Sequence, residues 1–170
     1  MADVELDVLR FTWTEELTML ARIGIAAAGG ALMGWERRRS GKDTGMRTLM
    51  LVSMGAALFT LVSIFGFEGH DQSRVASQIV SGVGFLGAGA ILRRGEVVRG
   101  LTTAAAIWLA AAVGAAAGVG LYLVAGATSV FAVLIMGMWP EVSPADDVDD
   151  QAGDAESGLP REGGQEPDPQ

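Results

Sequence analysis

Long apolar runs separated by short polar segments occupy the first 139 residues of the chain. A bilayer core about 30 Å thick requires roughly 20 apolar residues in a helix. The last run, residues 101–139, is too long for one span, and glycines at 118 and 120 predict a break there because glycine adopts tight-turn dihedrals. The pattern predicts an all-α, polytopic membrane helix bundle. Its five transmembrane helices cover about residues 17–35, 48–67, 75–92, 101–117 and 119–139.

The distribution of charge supports this fold and orients it. Arg22 is the only charged residue in the five spans, whereas a soluble helix would carry charge along its exposed face. Eight of the 12 basic residues lie in segments 36–47 and 93–100, and short basic loops face the cytoplasm. We therefore expect an external N-terminus and a cytoplasmic C-terminus.

The chain changes character after residue 139. Residues 140–170 contain ten acidic residues, one basic residue and almost no large apolar ones, so they cannot bury enough surface to offset the entropy of ordering. The predicted organisation is an external segment (1–16), a transmembrane domain (17–139) and a disordered acidic cytoplasmic tail (140–170).

Polar and charged side chains inside membrane spans cost free energy and often have a function. Arg22 is expected to snorkel outward past Thr18, or to form an ion pair with Asp71. In the third span the polar residues follow one helix face at i, i+4 and i+7, a spacing that predicts a stripe facing protein or water. The stripe consists of Arg74, Gln78 and Ser81.

Glycine and alanine recur at spacings that favour close helix packing. Residues 30–34 and 114–118 have the small-xxx-small pattern, and residues 82–89 are also rich in glycine. We expect tight helix contacts at all three, with a backbone-lined permeation path as the alternative for 82–89. The G-x-G-x-x-G sequence at 82–87 lacks the preceding strand and following acidic residue of a dinucleotide site.

The sequence offers little for catalysis or metal binding. It contains no cysteine, and its single histidine, His70, lies between Glu68 and Asp71 in a short loop that makes a weak metal site. There is no G-x-S-x-G nucleophile elbow. We therefore expect no enzymatic activity, no cofactor and no nucleic-acid partner.

Several segments, in order, resemble the MgtC/SapB family of bacterial inner-membrane proteins. The matching segments are residues 34–37 (GWER), 45–48 (GMRT), 54–59 (MGAALF), 71–89 and 98–105 (VRGLTTAA). Where the family often has a histidine, this chain has Leu49. The resemblance implies functional roles at matching positions, to which Ser81 is added from the stripe. These candidates are Glu36, Arg47, Asp71, Arg74, Gln78, Ser81, Arg99, Thr102 and Thr103.

The resemblance also implies a function. Family members are associated with growth in low magnesium, survival inside host cells and regulation of other membrane proteins. We expect a non-enzymatic regulator in the bacterial inner membrane, in contact with lipid and with a proton-translocating ATPase or a cation transporter. The alternative is a small divalent-cation transporter lined by the third-span stripe. Five spans form a thin bundle, so a pore would require a homo-oligomer, which is left open.

Overall fold

The computed structural model describes residues 11–41, 45–66, 73–94 and 97–138. It confirms five helices in the predicted order, and three of them (α1, α2 and α4) are long and apolar enough to cross a membrane. The predicted tail, His70 and Asp71 lie outside the described residues. The elements are α1 (Trp13–Arg39), α2 (Met46–Phe65), α3 (Ser73–Gly89), β1 (Leu92–Arg94), β2 (Val97–Arg99), α4 (Leu101–Val119) and α5 (Tyr122–Met138).

Helix α1 extends beyond the apolar span at both ends. Its first turn is capped by Glu15, whose Oε2 accepts hydrogen bonds from the Thr12 backbone N–H at 2.8 Å and the Thr12 hydroxyl at 2.9 Å. The Phe11 ring meets the Phe65 ring edge-on with centroids 6.0 Å apart. This contact joins the start of α1 to the end of α2.

The core lies where α1, α2 and α4 meet, and α5 packs against α1 and α4. Its side chains are small, chiefly alanine, with Met33, Leu49 and Val113 as the largest fully buried hydrophobic residues. Helix α3 packs mainly against α4 and buries only Ile79 and Gly87. The bundle therefore has a core of α1, α2 and α4, with α3 and α5 as the two peripheral helices.

Glycine allows the close approach of α1, α2 and α4. A methyl group on Gly30 would lie 2.5 Å from the Leu49 carbonyl oxygen, and one on Gly118 would lie 2.9 Å from the Ala57 oxygen. Gly34 and Gly114 are equally close to the α2 backbone. The small-xxx-small predictions at 30–34 and 114–118 are confirmed.

Within the described residues, most of the glycines at 82–89 make no such contact. A methyl group on Gly82, Gly84 or Gly89 would meet no atom within 4 Å, because α3 turns this surface outward. Gly87 is the exception, since its methyl would lie 3.6 Å from the Ala104 oxygen.

The break between α4 and α5 falls where the sequence predicted it. Gly120 has φ +102, the left-handed conformation that ends α4, and α5 begins at Tyr122. The β-hairpin was not predicted, because residues 93–100 were interpreted as a plain loop. β1 and β2 pair antiparallel, Leu92 opposite Arg99, across a two-residue connection.

Candidate functional site

Two arginines on one face of α1 bind the opposite ends of α4. Arg22 donates a hydrogen bond from Nη1 to the Gly118 carbonyl oxygen at 2.9 Å, and Arg37 donates from Nη2 to the Thr103 hydroxyl. Gly118 lies in the last turn of α4 and Thr103 in its first. α1 and α4 are therefore antiparallel and fixed in register at both ends.

The position of Arg22 corrects the sequence-based expectation. Its guanidinium turns toward the break after α4 instead of snorkelling past Thr18, and its Cζ would lie 3.7 Å from a methyl group on Gly120. The carboxyl end of a helix carries unpaired carbonyls and a partial negative charge. A cation at this end stabilises the break.

The end of α1 and the start of α4 meet in a polar cluster, which we define as Glu36, Arg37, Ser40 and Thr103. Arg37 is 3% exposed and Glu36 is 7% exposed. Glu36 Oε1 accepts a hydrogen bond from the Ser40 hydroxyl at 2.6 Å. Within the described residues, Glu36 Oε2 and Arg37 Nε have no hydrogen-bond partner, so the cluster retains one unused acceptor and one unused donor.

The candidates in this part of the chain differ in exposure. Thr102 and Thr103 are half-buried in the first turn of α4, whereas Arg47 and Arg99 are exposed. The structure thus joins Thr103 to α1, while the side chains of Arg47 and Arg99 are exposed among the described residues. Arg37, which the sequence analysis did not select, is the residue that bonds Thr103.

The α3 stripe lies on the outside of the bundle. Arg74, Gln78 and Ser81 are all exposed. The Ser77 hydroxyl donates to the Arg74 carbonyl oxygen at 2.7 Å, a local bond within α3. Asp71, the alternative partner expected for Arg22, lies outside the described residues.

Gln78 also borders an apolar groove between α2 and α3. The groove has a volume of about 480 Å³. Its walls include Leu51, Gly55 and Phe59 from α2 and Val75, Gln78, Gly82 and Leu86 from α3.

Among the described residues, no group of three or more His, Cys, Asp or Glu side chains could hold a metal ion. The polar groups that the structure brings together are instead arginine, threonine, serine and a single glutamate. These groups can fix helix register and form hydrogen bonds with another molecule.

The apolar helices, the arginine-bound ends of α4 and the outward polar stripe define a multi-pass α-helical membrane protein. The chain belongs to the MgtC family, whose model matches residues 23–144. This match covers most of the helical part of the chain and confirms the family resemblance on which the candidate positions rest.

Three relatives illustrate the similarity. The chain is 42% identical over 132 residues to "Putative magnesium transporter YhiD" of Escherichia coli (strain K12), covering 73% of this chain and 61% of the relative. It is 46% identical over 106 residues to "Protein MgtC" of Brucella abortus (strain 2308), covering 62% and 44%. It is 37% identical over 140 residues to "Protein SapB" of Bacillus subtilis (strain 168), covering 77% and 60%. The chain therefore spans about half the length of these relatives, and no solved structure matches it.

Proposed function

We propose that this protein is a non-enzymatic regulator that binds another membrane protein in the bacterial inner membrane and serves magnesium homeostasis or adaptation to low magnesium. The observation that carries the proposal is the outward direction of the α3 stripe, since Arg74, Gln78 and Ser81 are exposed instead of lining the bundle. Polar side chains at membrane depth require a partner or water. On this surface the partner is a second protein.

The packing of the interior supports the same proposal. The α1 and α2 backbones meet at Gly30, and the α2 and α4 backbones meet at Gly114 and Gly118. On α4 both contacts lie in the second half of the helix. A hydrated magnesium ion does not fit between helices whose backbones are in contact, so a path through one copy of this bundle is disfavoured.

The cytoplasmic surface supplies the electrostatic part of the proposed interaction. Arg38, Arg39, Arg47 and Arg99 are exposed there, while Arg37 is buried. An exposed positive surface accelerates encounter with an acidic partner and fixes its orientation. We propose a proton-translocating ATPase or a cation transporter as this partner, with the C-terminus of the chain in the cytoplasm and the N-terminus outside.

A second candidate function is transport of a divalent cation such as magnesium. The name of the Escherichia coli relative favours it, and so does the polar stripe of α3. Because the interior of one copy is closely packed, such a path would lie between copies, with Gln78 and Ser81 on its wall.

Magnesium flux separates the two functions. The full chain is reconstituted in liposomes that contain a magnesium-sensitive dye, and protein-free liposomes provide the baseline. The regulator predicts no flux above that baseline, with an added ionophore as the positive control. Flux that depends on the protein and falls in Gln78→Leu would overturn the regulator and support transport.

Growth in low magnesium tests the contact surface. In a strain that depends on this protein, Arg47→Ala combined with Arg99→Ala should abolish complementation while membrane abundance stays normal. Arg47→Lys combined with Arg99→Lys keeps the positive charge and should restore growth. Full growth of the alanine variant would show that Arg47 and Arg99 are not needed for binding the partner.

A further inference from the structure

The polar cluster of Glu36, Arg37, Ser40 and Thr103 contains two buried polar atoms that no group in the described residues satisfies. They are Glu36 Oε2, an acceptor, and Arg37 Nε, a donor. We propose that this cluster and the first turn of α4 bind a phosphate group that carries a proton, either inorganic phosphate or a phosphomonoester headgroup. The inference goes beyond the proposed function, because it uses these buried side chains and none of the exposed arginines assigned to the regulated protein.

Arg37 places a positive charge at the amino end of α4. Its side chain is 3% exposed, and its Nη2 donates to the hydroxyl of Thr103 in the first turn of α4. That hydroxyl is neutral, so the hydrogen bond does not compensate the charge, and Nε has no hydrogen-bond partner within the described residues. A buried polar group without a partner costs free energy, and the cost is greater for a charged group. The guanidinium therefore favours an anion that accepts a hydrogen bond from Nε.

The end of α4 that meets Arg37 attracts the same kind of ligand. α4 has 19 residues, its N-cap is Gly100, and no side-chain hydrogen bond caps it among the described residues. The first N–H groups of a helix have no partner within the helix and carry a partial positive charge, which favours phosphate at this end. The helix end alone would not define a site. Arg37 adds to it a full positive charge and an unused donor.

Glu36 restricts which anion can bind. Its side chain is 7% exposed, its Oε1 accepts the hydroxyl of Ser40 at 2.6 Å, and its Oε2 has no partner within the described residues. A carboxylate repels an anion without protons, but it accepts a strong hydrogen bond from a phosphate O–H. Inorganic phosphate keeps a proton near neutral pH, whereas sulfate and a phosphodiester have none. A protonated phosphate can therefore accept from Arg37 Nε and donate to Glu36 Oε2.

A water molecule also offers a donor and an acceptor, but it brings no negative charge to Arg37 or to the amino end of α4. The cluster reaches the surface of the bundle, because Ser40 is exposed and Thr103 is half-buried. Ser40 therefore marks the side from which a phosphate group would enter.

Thermal unfolding of the purified full chain in detergent measures binding, because a ligand that binds only the folded state raises the Tm. Sodium phosphate and sodium sulfate are compared at equal ionic strength and at about pH 6, where a phosphomonoester also retains part of its protons. Phosphate should raise the Tm and saturate. Sulfate should bind about ten-fold more weakly or worse, the effect of losing one hydrogen bond to a charged group.

Short-chain lipids in the same assay identify the source of the phosphate group. Dioctanoyl phosphatidic acid is a phosphomonoester, and dioctanoyl phosphatidylglycerol is the matched phosphodiester. Stabilisation by phosphatidic acid but not by inorganic phosphate would assign the site to a lipid headgroup, and the reverse would assign it to the free anion. Stabilisation by neither would overturn the proposal, as would equal stabilisation by sulfate or by phosphatidylglycerol.

Three conservative variants locate the site. Glu36→Gln keeps the length of the side chain and puts an N–H donor in place of an acceptor, so sulfate should bind it about as tightly as phosphate. Arg37→Lys keeps the charge and removes Nε, so it should weaken phosphate binding about ten-fold. Arg38→Lys is the matched control, since Arg38 is exposed on the same turn, and it should leave binding unchanged. The Tm of each variant without ligand shows that it folds. An unchanged preference for phosphate in Glu36→Gln, or equal losses in the two lysine variants, would overturn the assignment.

Discussion

Arg37 donates a hydrogen bond to the Thr103 hydroxyl and so joins the carboxyl-terminal end of α1 to the first turn of α4. Arg22 makes the corresponding bond at the other end of α4, 15 residues earlier on α1. At a rise of 1.5 Å per residue the two arginines are about 22 Å apart along the helix. They therefore fix α1 against α4 over most of the hydrocarbon thickness.

The Arg37 bond should contribute to stability because the side chain is almost fully buried. Arg37→Ala should lower the free energy of unfolding in detergent by about 2 kcal/mol, the typical value for a hydrogen bond to a charged group. Thr103→Val should cost a similar amount, and the double variant little more than either, because the two changes remove one interaction. Arg38→Ala is the control, since Arg38 is exposed on the same helix turn and should change the value by less than about 0.5 kcal/mol. Additive losses in the double variant would contradict the pairing.

Arg22 should stabilise the break between α4 and α5. Arg22→Met removes the hydrogen bond to Gly118 and a cation from the carboxyl end of α4, so we expect a loss of about 1–2 kcal/mol. Amide hydrogen exchange should accelerate at Gly120 and Leu121, whose N–H groups bond the last carbonyls of α4. Thr18→Ala is the control, because the Thr18 hydroxyl bonds only the Thr14 carbonyl of its own helix. Unchanged exchange in Arg22→Met would favour the snorkelling orientation.

The orientation of the chain can be tested with reporter fusions. The Arg37 to Thr103 bond places the end of α1 and the start of α4 at one end of the bundle, so we expect segments 36–47 and 93–100 to lie on the same side of the membrane. Both are basic and should face the cytoplasm. Fusions at Lys42 and Gly95 should report a cytoplasmic position, and a fusion at Gly69 an external one. A cytoplasmic signal at Gly69 would contradict five membrane spans.

Much of the fold could be predicted because it follows from length and hydrophobicity. The five helices, the break before Gly120 and the close approaches at residues 30–34 and 114–118 each have a local signature in the sequence. The hairpin formed by β1 and β2 has none, because three-residue strands are too short to show a period of two. The open surface of α3 could not be predicted either, since glycine favours close packing without specifying the partner.

The site was less predictable for a similar reason. Residues 37, 38 and 39 are all arginine, and of the three only Arg37 is buried. The spacing of Arg37 was the sequence signal for its burial, because Arg37 lies on the helix face that also carries Gly30 and Met33 at i, i+3 and i+7. Arg22 offered no such signal, since its acceptor is a backbone carbonyl and every residue has one.

The glycine contacts provide the last prediction, because α1 contains one glycine in contact with the α2 backbone and another with no neighbour within 4 Å of its Cβ position. Gly30→Ala would set a methyl group 2.5 Å from the Leu49 carbonyl oxygen and 2.9 Å from Met50 Cα, so α1 and α2 must separate. That separation would also stretch the bond from the Ser53 hydroxyl to the Ala26 carbonyl oxygen, now 2.7 Å. We expect a loss of about 1–3 kcal/mol, the usual cost of overpacking.

Gly24→Ala is the matched control for this prediction, because a methyl group there meets nothing within 4 Å. It should leave stability unchanged or raise it by roughly 0.5–1 kcal/mol, since alanine has the higher helix propensity. Thermal unfolding of both variants in the same detergent, followed by far-ultraviolet circular dichroism, gives the comparison. If Gly24→Ala destabilised the protein as much as Gly30→Ala, the loss would reflect glycine content in α1 in general, and the close contact between α1 and α2 would not be its cause.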